Sequence, residues 1–538
     1  MIGADAIVKC LEEEGVTTVF GYPGVAIVPF YHSIESSEIE SILVRSEQNA
    51  AHAANGYSRV SGTVSVCAVT SGPGATNVIT GIATAFADSI PLICITGQVH
   101  SELLGSDVFQ EADITGAVES FVKYSYLVKD VTDIPRVFKE AFHLANTGRK
   151  GPVLIDIPID IQQATIKNFS YPETVLMRTY KPTIKGHSVQ IQKVIGELKK
   201  AKKPIICVGG GVLLNHAQDV VREFASKHGI PVVSTMMGIG VMPTQHELYY
   251  GMVGNNGKPY ANRAMNESDL LIMVGARVAD RAVNQPDLII DHKVLVHIDV
   301  DPAEIGKNVG PTIPLVGECS HIFEEFLSSK CKVDCTEWIG TLNQYRENMT
   351  PKRNVNPEYV DPREFIQLLS LAMERDGVYI ADVGQNQMWS CANHIVRGGR
   401  FLTSGGMGTM GYSIPAAIGA KKADATKQVV AVCGDGSFQM SMMELATVCQ
   451  HNIPIKVIIL TNGCLGMVRE YQEVTYKGKY SLVDLSGSPD FSYIAKAYGL
   501  DFVQVQNMEG IDAKIKEFLA IEGCAVMECM IDPMDLTK

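Results

Sequence analysis

Short apolar runs recur along the whole chain, and most end in glycine or a small polar residue. A longer stretch with helical spacing follows each one. In the first third the runs fall at 17–20, 41–44, 64–69, 91–95 and 152–157; in the middle third at 204–208, 231–234, 270–274 and 294–298; in the last third at 378–383, 429–433, 455–460 and 525–531. Runs that are apolar throughout, without polar alternation, predict strands covered on both faces, as in parallel sheets. Alternation with helices predicts doubly wound α/β architecture. Two looser polar stretches, about 168–187 and 330–364, break the rhythm. They divide the chain into three expected domains, 1–167, 188–330 and 364–538.

An internal repeat refines this division. The segment ATAFADSIP at 83–91 parallels ATVCQHNIP at 446–454, each between a glycine-turned strand and a further apolar run. The first and third domains are therefore expected to be related, and the middle one Rossmann-like.

Composition narrows the class. The 538 residues are 46% hydrophobic and 20% charged, ordinary for a globular protein with sizeable cores. A formal net charge of −13 argues against a nucleic-acid surface. The 13 cysteines are scattered, many inside apolar runs, as expected of reduced thiols in a cytoplasmic protein. Cys331/Cys335 and Cys524/Cys529 are the close pairs, too few for an expected zinc site. The first residues read as an amphipathic helix, and no apolar run has membrane-spanning length.

Chemistry concentrates first at Gly434-Asp435-Gly436, which closes the run at 429–433, and at Asn462, which closes the next. A carboxylate and an amide oxygen at adjacent strand ends, beside a helix N-terminus, suit a Mg²⁺ ion holding a diphosphate. Gly-Asp-Gly, 25 residues, then Asn resembles the signature of enzymes that use thiamine diphosphate. That resemblance implies that Asp435, Asn462 and the Cys464 carbonyl hold the metal. It also implies that Gly434, Gly436, Ser437, Leu465, Gly466 and Met467 cup the diphosphate, near Gln385 and Asn386. Gly408 and Met410, in the glycine-rich stretch 401–411, would meet the aminopyrimidine. Glu47, expected at a helix start, matches the glutamate that hydrogen-bonds that ring and so supports proton removal at the thiazolium carbon. On its own, a glutamate there would only favour the helix dipole.

Nearly the whole chain resembles the catalytic subunits of acetohydroxyacid (acetolactate) synthase. The carriers are TSGPGATN at 70–77, DSIPLICITGQV at 88–99, VFQEADI at 108–114, GPVLIDIP at 151–158 and HIDVDPAEIGKN at 297–308. The resemblance implies decarboxylation of pyruvate and carboligation to a second 2-oxo acid, in branched-chain amino acid biosynthesis. It implies FAD on the middle domain at Arg149, Gly209, Gly210, Gly211, Arg277 and Asp299, although the triple glycine alone is only a turn. Arg281 is expected to take the second substrate's carboxylate, and Gln110 and Phe109 to lie near the reacting carbons. A homodimer or homotetramer with a small regulatory subunit is implied too.

The chain also departs from that pattern. Tyr471 stands where the family has Trp, Val25 replaces a glycine, Ser46 and Asn256 each replace a His, Val278-Ala279 replaces Phe-Asp, and Ile159 replaces Lys. These changes leave acceptor choice open. The rival readings are another thiamine diphosphate-dependent decarboxylase or carboligase, and a non-catalytic thiamine diphosphate- or nucleotide-binding protein. A nicotinamide dehydrogenase would need a GxGxxG turn that the first strand lacks.

Overall fold

The computed structural model describes residues 1–283, 289–290, 292–349 and 355–537. Part of the polar stretch expected at 330–364 lies outside the described residues, as does the last residue of the expected third domain. Three six-stranded sheets organise the chain, and every pairing between their strands is parallel.

The first sheet contains β1 (Thr18–Tyr22), β2 (Glu40–Leu43), β3 (Ser65–Val69), β4 (Leu92–Gln98), β5 (Tyr124–Leu127) and β6 (Pro152–Pro158), in the order β2-β1-β3-β4-β6-β5. The middle sheet contains β7 (Pro204–Val208), β8 (Val232–Ser234), β9 (Tyr249–Met252), β10 (Leu270–Val274), β11 (Val294–Asp299) and β12 (Ile313–Val316), in the order β12-β11-β10-β7-β8-β9. Renumbered from its own first strand this is the Rossmann order, reversing between β7 and β10. The third sheet contains β13 (Val378–Ala381), β14 (Arg400–Thr403), β15 (Val429–Gly434), β16 (Lys456–Thr461), β17 (Asp501–Val505) and β18 (Ala525–Met530). Its order, β14-β13-β15-β16-β18-β17, repeats that of the first sheet position for position. The sequence repeat is visible in the backbone as well. Ser89 and Asn452, equivalent within it, both take left-handed conformations, φ 60° and 49°.

The central strands behave as their composition predicts. β3, β4, β6, β7 and β10 are buried along their whole length. Each fully buried Val, Leu or Ile contributes about 1.5–3 kcal/mol relative to an exposed position. The first and third domains share one hydrophobic core, which joins Phe20, Ile42 and Cys67 to Ile380, Tyr412 and Val457. The middle domain builds its own around Phe224, Phe323 and Phe326.

The shared core turns on two helices, Glu47–Ser61 of the first domain and Ser413–Ala423 of the third. They cross antiparallel at glycine. A Cβ on Gly56 would run into the Ala416 carbonyl, and one on Gly419 into the Ala53 carbonyl. Among its alanines, the buried part of the Glu47 helix also carries polar side chains, Asn49, His52, Asn55 and Arg59. Arg59 donates to the Thr403 carbonyl and to Tyr412 Oη and pairs with Asp88 at 3.1 Å.

Candidate active site

The corner formed by Asp435 and Asn462 lies at the carboxyl ends of the adjacent strands β15 and β16, beside the point between β13 and β15 where the third sheet reverses its order, the usual ligand position in open α/β sheets. β15 ends at Gly434, and Asp435 opens the helix Asp435–Ser441. The turn is fixed locally, because the Gly434 N–H donates to Ser437 Oγ at 3.0 Å. Asp435 is 2% exposed, and burial raises its carboxyl from 3.8 to about 6. The N–H groups of Gly463 and Gly436 oppose that rise by donating to its two oxygens at 2.7 and 2.9 Å. A buried carboxylate with spare lone pairs and only N–H donors around it fits a cation.

Asn462 follows β16 directly. Its Nδ2 donates to Gln385 Oε1 at 3.0 Å, which leaves Oδ1 toward the Cys464 N–H at 3.2 Å. Gln385 in turn donates to Glu470 Oε2 and to the Asp535 carbonyl. A Cβ on Gly466 would strike Gln385 and Asn462, so the segment that follows the corner can approach it only as glycine. Met410 leans against this turn, its Cε 3.6 Å from where a Cβ of Gly436 would sit. The Asn386 side chain is turned inward, and both of its amide hydrogens donate to the Asp382 and Val432 carbonyls.

Sequence reading missed Asp382. This fully buried carboxylate at the end of β13 accepts from the N–H groups of Val383, Gly411 and Ser413 and so shapes the stretch that presents Gly408 and Met410. A lone Asp after an apolar run was its only signal. Glu470, which fixes Gln385, had none.

Glu47 occupies the first position of its helix and is half-buried. Asn77 Nδ2 donates to its Oε2 at 3.1 Å, and its Oε1 lies 3.4 Å from where a Cβ of Gly74 would be. Gln110 lies over the same turn, against Gly72, in a left-handed conformation (φ 59°). Glu47, Asn77, Gln110 and the turn 71–74 thus form one patch, and Phe109, next to Gln110, is 88% exposed.

A separate cleft of about 790 Å³ lies at the reversal point of the middle sheet. Gly209 and Gly211 after β7 approach Gly275 after β10 so closely that a side chain on any of them would collide, and one on Gly210 would press on Met237. From the middle domain, Arg277, Arg281 and Asp299 line the cleft; Arg149 enters from the first domain and Gly408, Met410 and Met467 from the third. Arg149 bridges domains by pairing with Glu304 and Asp301 at 3.1 and 3.4 Å, and Arg277 donates to the Ala87 carbonyl. Burial raises the Asp299 carboxyl to about 6. The glycine cradle, basic groups and size of this cleft fit a dinucleotide. Among the described residues, Glu47, Gln110 and Asp435 do not line it.

Comparison with known proteins agrees with this layout. Residues 1–117 match the family described as thiamine pyrophosphate enzyme, N-terminal TPP binding domain; residues 191–326 match its central domain; residues 382–529 match its C-terminal TPP binding domain. The acetolactate synthase large subunit of Haemophilus influenzae is 40% identical over 97% of this chain and 92% of its own length. That of Lactococcus lactis is 41% identical over 96% and 90%, and the acetolactate synthase of Arthrospira platensis is 42% identical over 98% and 94%. Three matched domains in this order, with near-complete relatives at this identity, place the chain in the thiamine pyrophosphate enzymes, within the acetolactate synthase family.

Proposed function

We propose that the chain is the catalytic subunit of an acetolactate synthase, which decarboxylates pyruvate and joins the remaining two-carbon unit to a second 2-oxo acid, pyruvate or 2-oxobutyrate. The observation that carries this reading is the pair of half-sites on related domains: a helix-opening carboxylate at Glu47 and a buried cation corner at Asp435 and Asn462. The segments 1–167, 188–330 and 364–538 serve as pyrimidine-binding, FAD-binding-like and diphosphate-binding domains. When bound, thiamine diphosphate supplies a carbon acid able to hold the negative charge left by decarboxylation.

The chain's own residues bind, orient and handle protons. Glu47, steadied at Oε2 by Asn77, holds and releases a proton at Oε1. Asp435, Asn462 and the Cys464 carbonyl offer oxygen ligands to Mg²⁺. Gly434, Gly436, Ser437, Leu465, Gly466 and Met467 close around a diphosphate, with Gln385 and Asn386 behind them. Gly408 and Met410 present backbone and bulk to the ring. Arg281, exposed on the cleft wall, takes the acceptor's carboxylate, and Gln110 lies near the reacting carbons. Arg149, Gly209, Gly210, Gly211, Arg277 and Asp299 hold FAD.

The Glu47 patch does not open into the cleft that reaches Met410 and Met467, which supports a homodimer or homotetramer in which each site draws on two chains. A small regulatory subunit and a cytoplasmic setting complete the reading. No described helix is long and apolar enough to cross a membrane. Purification with Mg²⁺ and thiamine diphosphate, an absorbance scan for flavin and product analysis with pyruvate test it. Acetaldehyde, or no product, overturns the acetolactate assignment. A colourless protein that makes acetolactate keeps the reaction and removes FAD.

A further inference from the structure

The stretch that presents Glu47 is held from the third domain. The Leu43 N–H donates to His451 Nε2 at 3.1 Å. The Arg45 N–H and the Asn49 Nδ2 both donate to Glu444 Oε1 at 2.9 Å. The Arg45 guanidinium donates to Gln450 Oε1 at 2.6 Å. Thr447 Oγ1 lies 2.6 Å from Glu444 Oε2 and 3.2 Å from the Leu43 carbonyl. Glu47 falls between Arg45 and Asn49, so the residues on both sides of it hang on one fully buried carboxylate.

All four gripping residues lie on the crossover that starts at Asp435 and returns to β16 and Asn462. The related crossover of the first domain grips in the opposite direction. Asp88 Oδ1 accepts from the Gly406 N–H at 2.7 Å, and the hydroxyls of Thr84 and Thr409 meet at 2.7 Å. Thr84 and Asp88 are the repeat equivalents of Thr447 and His451. The equivalent of Glu444 is Gly81, which lies instead against Ala51 of its own domain. The Glu444 carboxylate is therefore an addition made in one copy only, aimed at the turn that carries Glu47.

We infer that Glu444 is a positioning residue for the reaction: it fixes the first turn of the Glu47 helix and ties that turn to the crossover bearing the metal corner. The inference rests on the proposed proton-handling role of Glu47. Without the carboxylate, the part-buried Arg45 N–H loses its acceptor and the buried Asn49 amide keeps only the Met443 sulfur at 4.0 Å, so the turn must shift to satisfy them. A displacement of about 1 Å at a reacting group costs on the order of 10²-fold in rate. Glutamine can replace the carboxylate in full. Its Oε1 takes both donors and its Nε2 donates to Thr447 Oγ1, whose own hydrogen then turns to the Leu43 carbonyl.

The test uses the full chain. Turnover and KM for pyruvate are measured with thiamine diphosphate and Mg²⁺, and amide hydrogen exchange over 43–50 is measured without them. Glu444→Ala is expected to lower kcat by about 10²-fold with little change in KM, and to speed exchange over 43–50. Glu444→Gln is expected to restore both. Normal kcat and normal exchange in Glu444→Ala overturn the inference. Glu444→Gln as damaged as Glu444→Ala, with unchanged exchange, also overturns it, since the carboxyl would then carry a proton itself. Should Glu444→Ala fail to fold, Thr447→Val decides. Slower turnover with faster exchange supports the inference, and no change in either overturns it. Glu47→Gln is run alongside. Full turnover in that variant removes the Glu47 role, and the catalytic part of the inference with it, while the exchange data still report whether Glu444 holds the turn.

Discussion

The first and third domains repeat one strand order, and they brace each other through the same crossover, yet they expose different chemistry. In the first, the turn after its third strand is 71–74, without a charged group, and the carboxylate appears after the second strand, at Glu47. In the third, the positions are exchanged. A glycine-rich loop follows the second strand, and Asp435 follows the third. A duplicated scaffold thus offers two equivalent strand ends per copy, and each copy has charged a different one. The lesson is that the fold decides where a ligand can sit, while one or two residues at a strand end decide what it meets there.

The largest expected effect comes from neutralising the first domain's charged end. Glu47→Gln should lower acetolactate formation by about 10³-fold while leaving thiamine diphosphate affinity within a few-fold, measured by steady-state assay and cofactor titration. Equal loss of affinity and rate would make Glu47 a binding group and erase the distinction between the copies.

Next comes the crossing that joins the two domains. Gly419→Val places a side chain into the Ala53 carbonyl and should cost about 3 kcal/mol in thermal or denaturant unfolding. A smaller loss would mean that the domains separate readily.

The third domain's charged end has a pH signature. Burial lifts Asp435 from 3.8 to about 6. The folded state then binds a proton that the unfolded chain releases between about pH 4 and pH 6. The stability from this group is present below about pH 4 and lost as pH rises through about 6, on the order of 3 kcal/mol without metal. Asp435→Asn should lack that slope in melts run without Mg²⁺, and Mg²⁺ should restore the wild type's stability at pH 7. The smallest effect belongs to the middle domain, which has no counterpart. Arg281→Lys should raise KM for the acceptor 2-oxo acid by about tenfold with kcat nearly kept, since a point charge replaces a guanidinium fork.

The sequence made the buried strands legible because parallel strands covered on both faces are apolar throughout. Five strands escaped it: β5, β9, β12, β14 and β17. All five lie at sheet edges, where one side lacks a neighbouring strand and the sequence turns mixed, as in Tyr124–Leu127 and Asp501–Val505. The Asp435–Asn462 corner was readable because both residues close strands at fixed spacing. The braces were not. Glu444, Asp382 and Asp88 look like ordinary acidic residues, and only folding brings their partners to them across the chain. Nor does spacing reveal that the Asn386 side chain points into the sheet end.

The glycine crossing between Glu47–Ser61 and Ser413–Ala423 has a consequence for synthesis of the chain. The Glu47 helix emerges from the ribosome more than three hundred residues before the helix that covers it. Until then its Asn49, His52 and Asn55 lack the third-domain groups that cover them, Glu444 and Tyr412, and Arg59 has Asp88 but neither Thr403 nor Tyr412. The first domain is therefore finished last on this face. A nascent chain stalled before residue 413 should expose the polar face of the Glu47 helix to proteases that the completed protein resists.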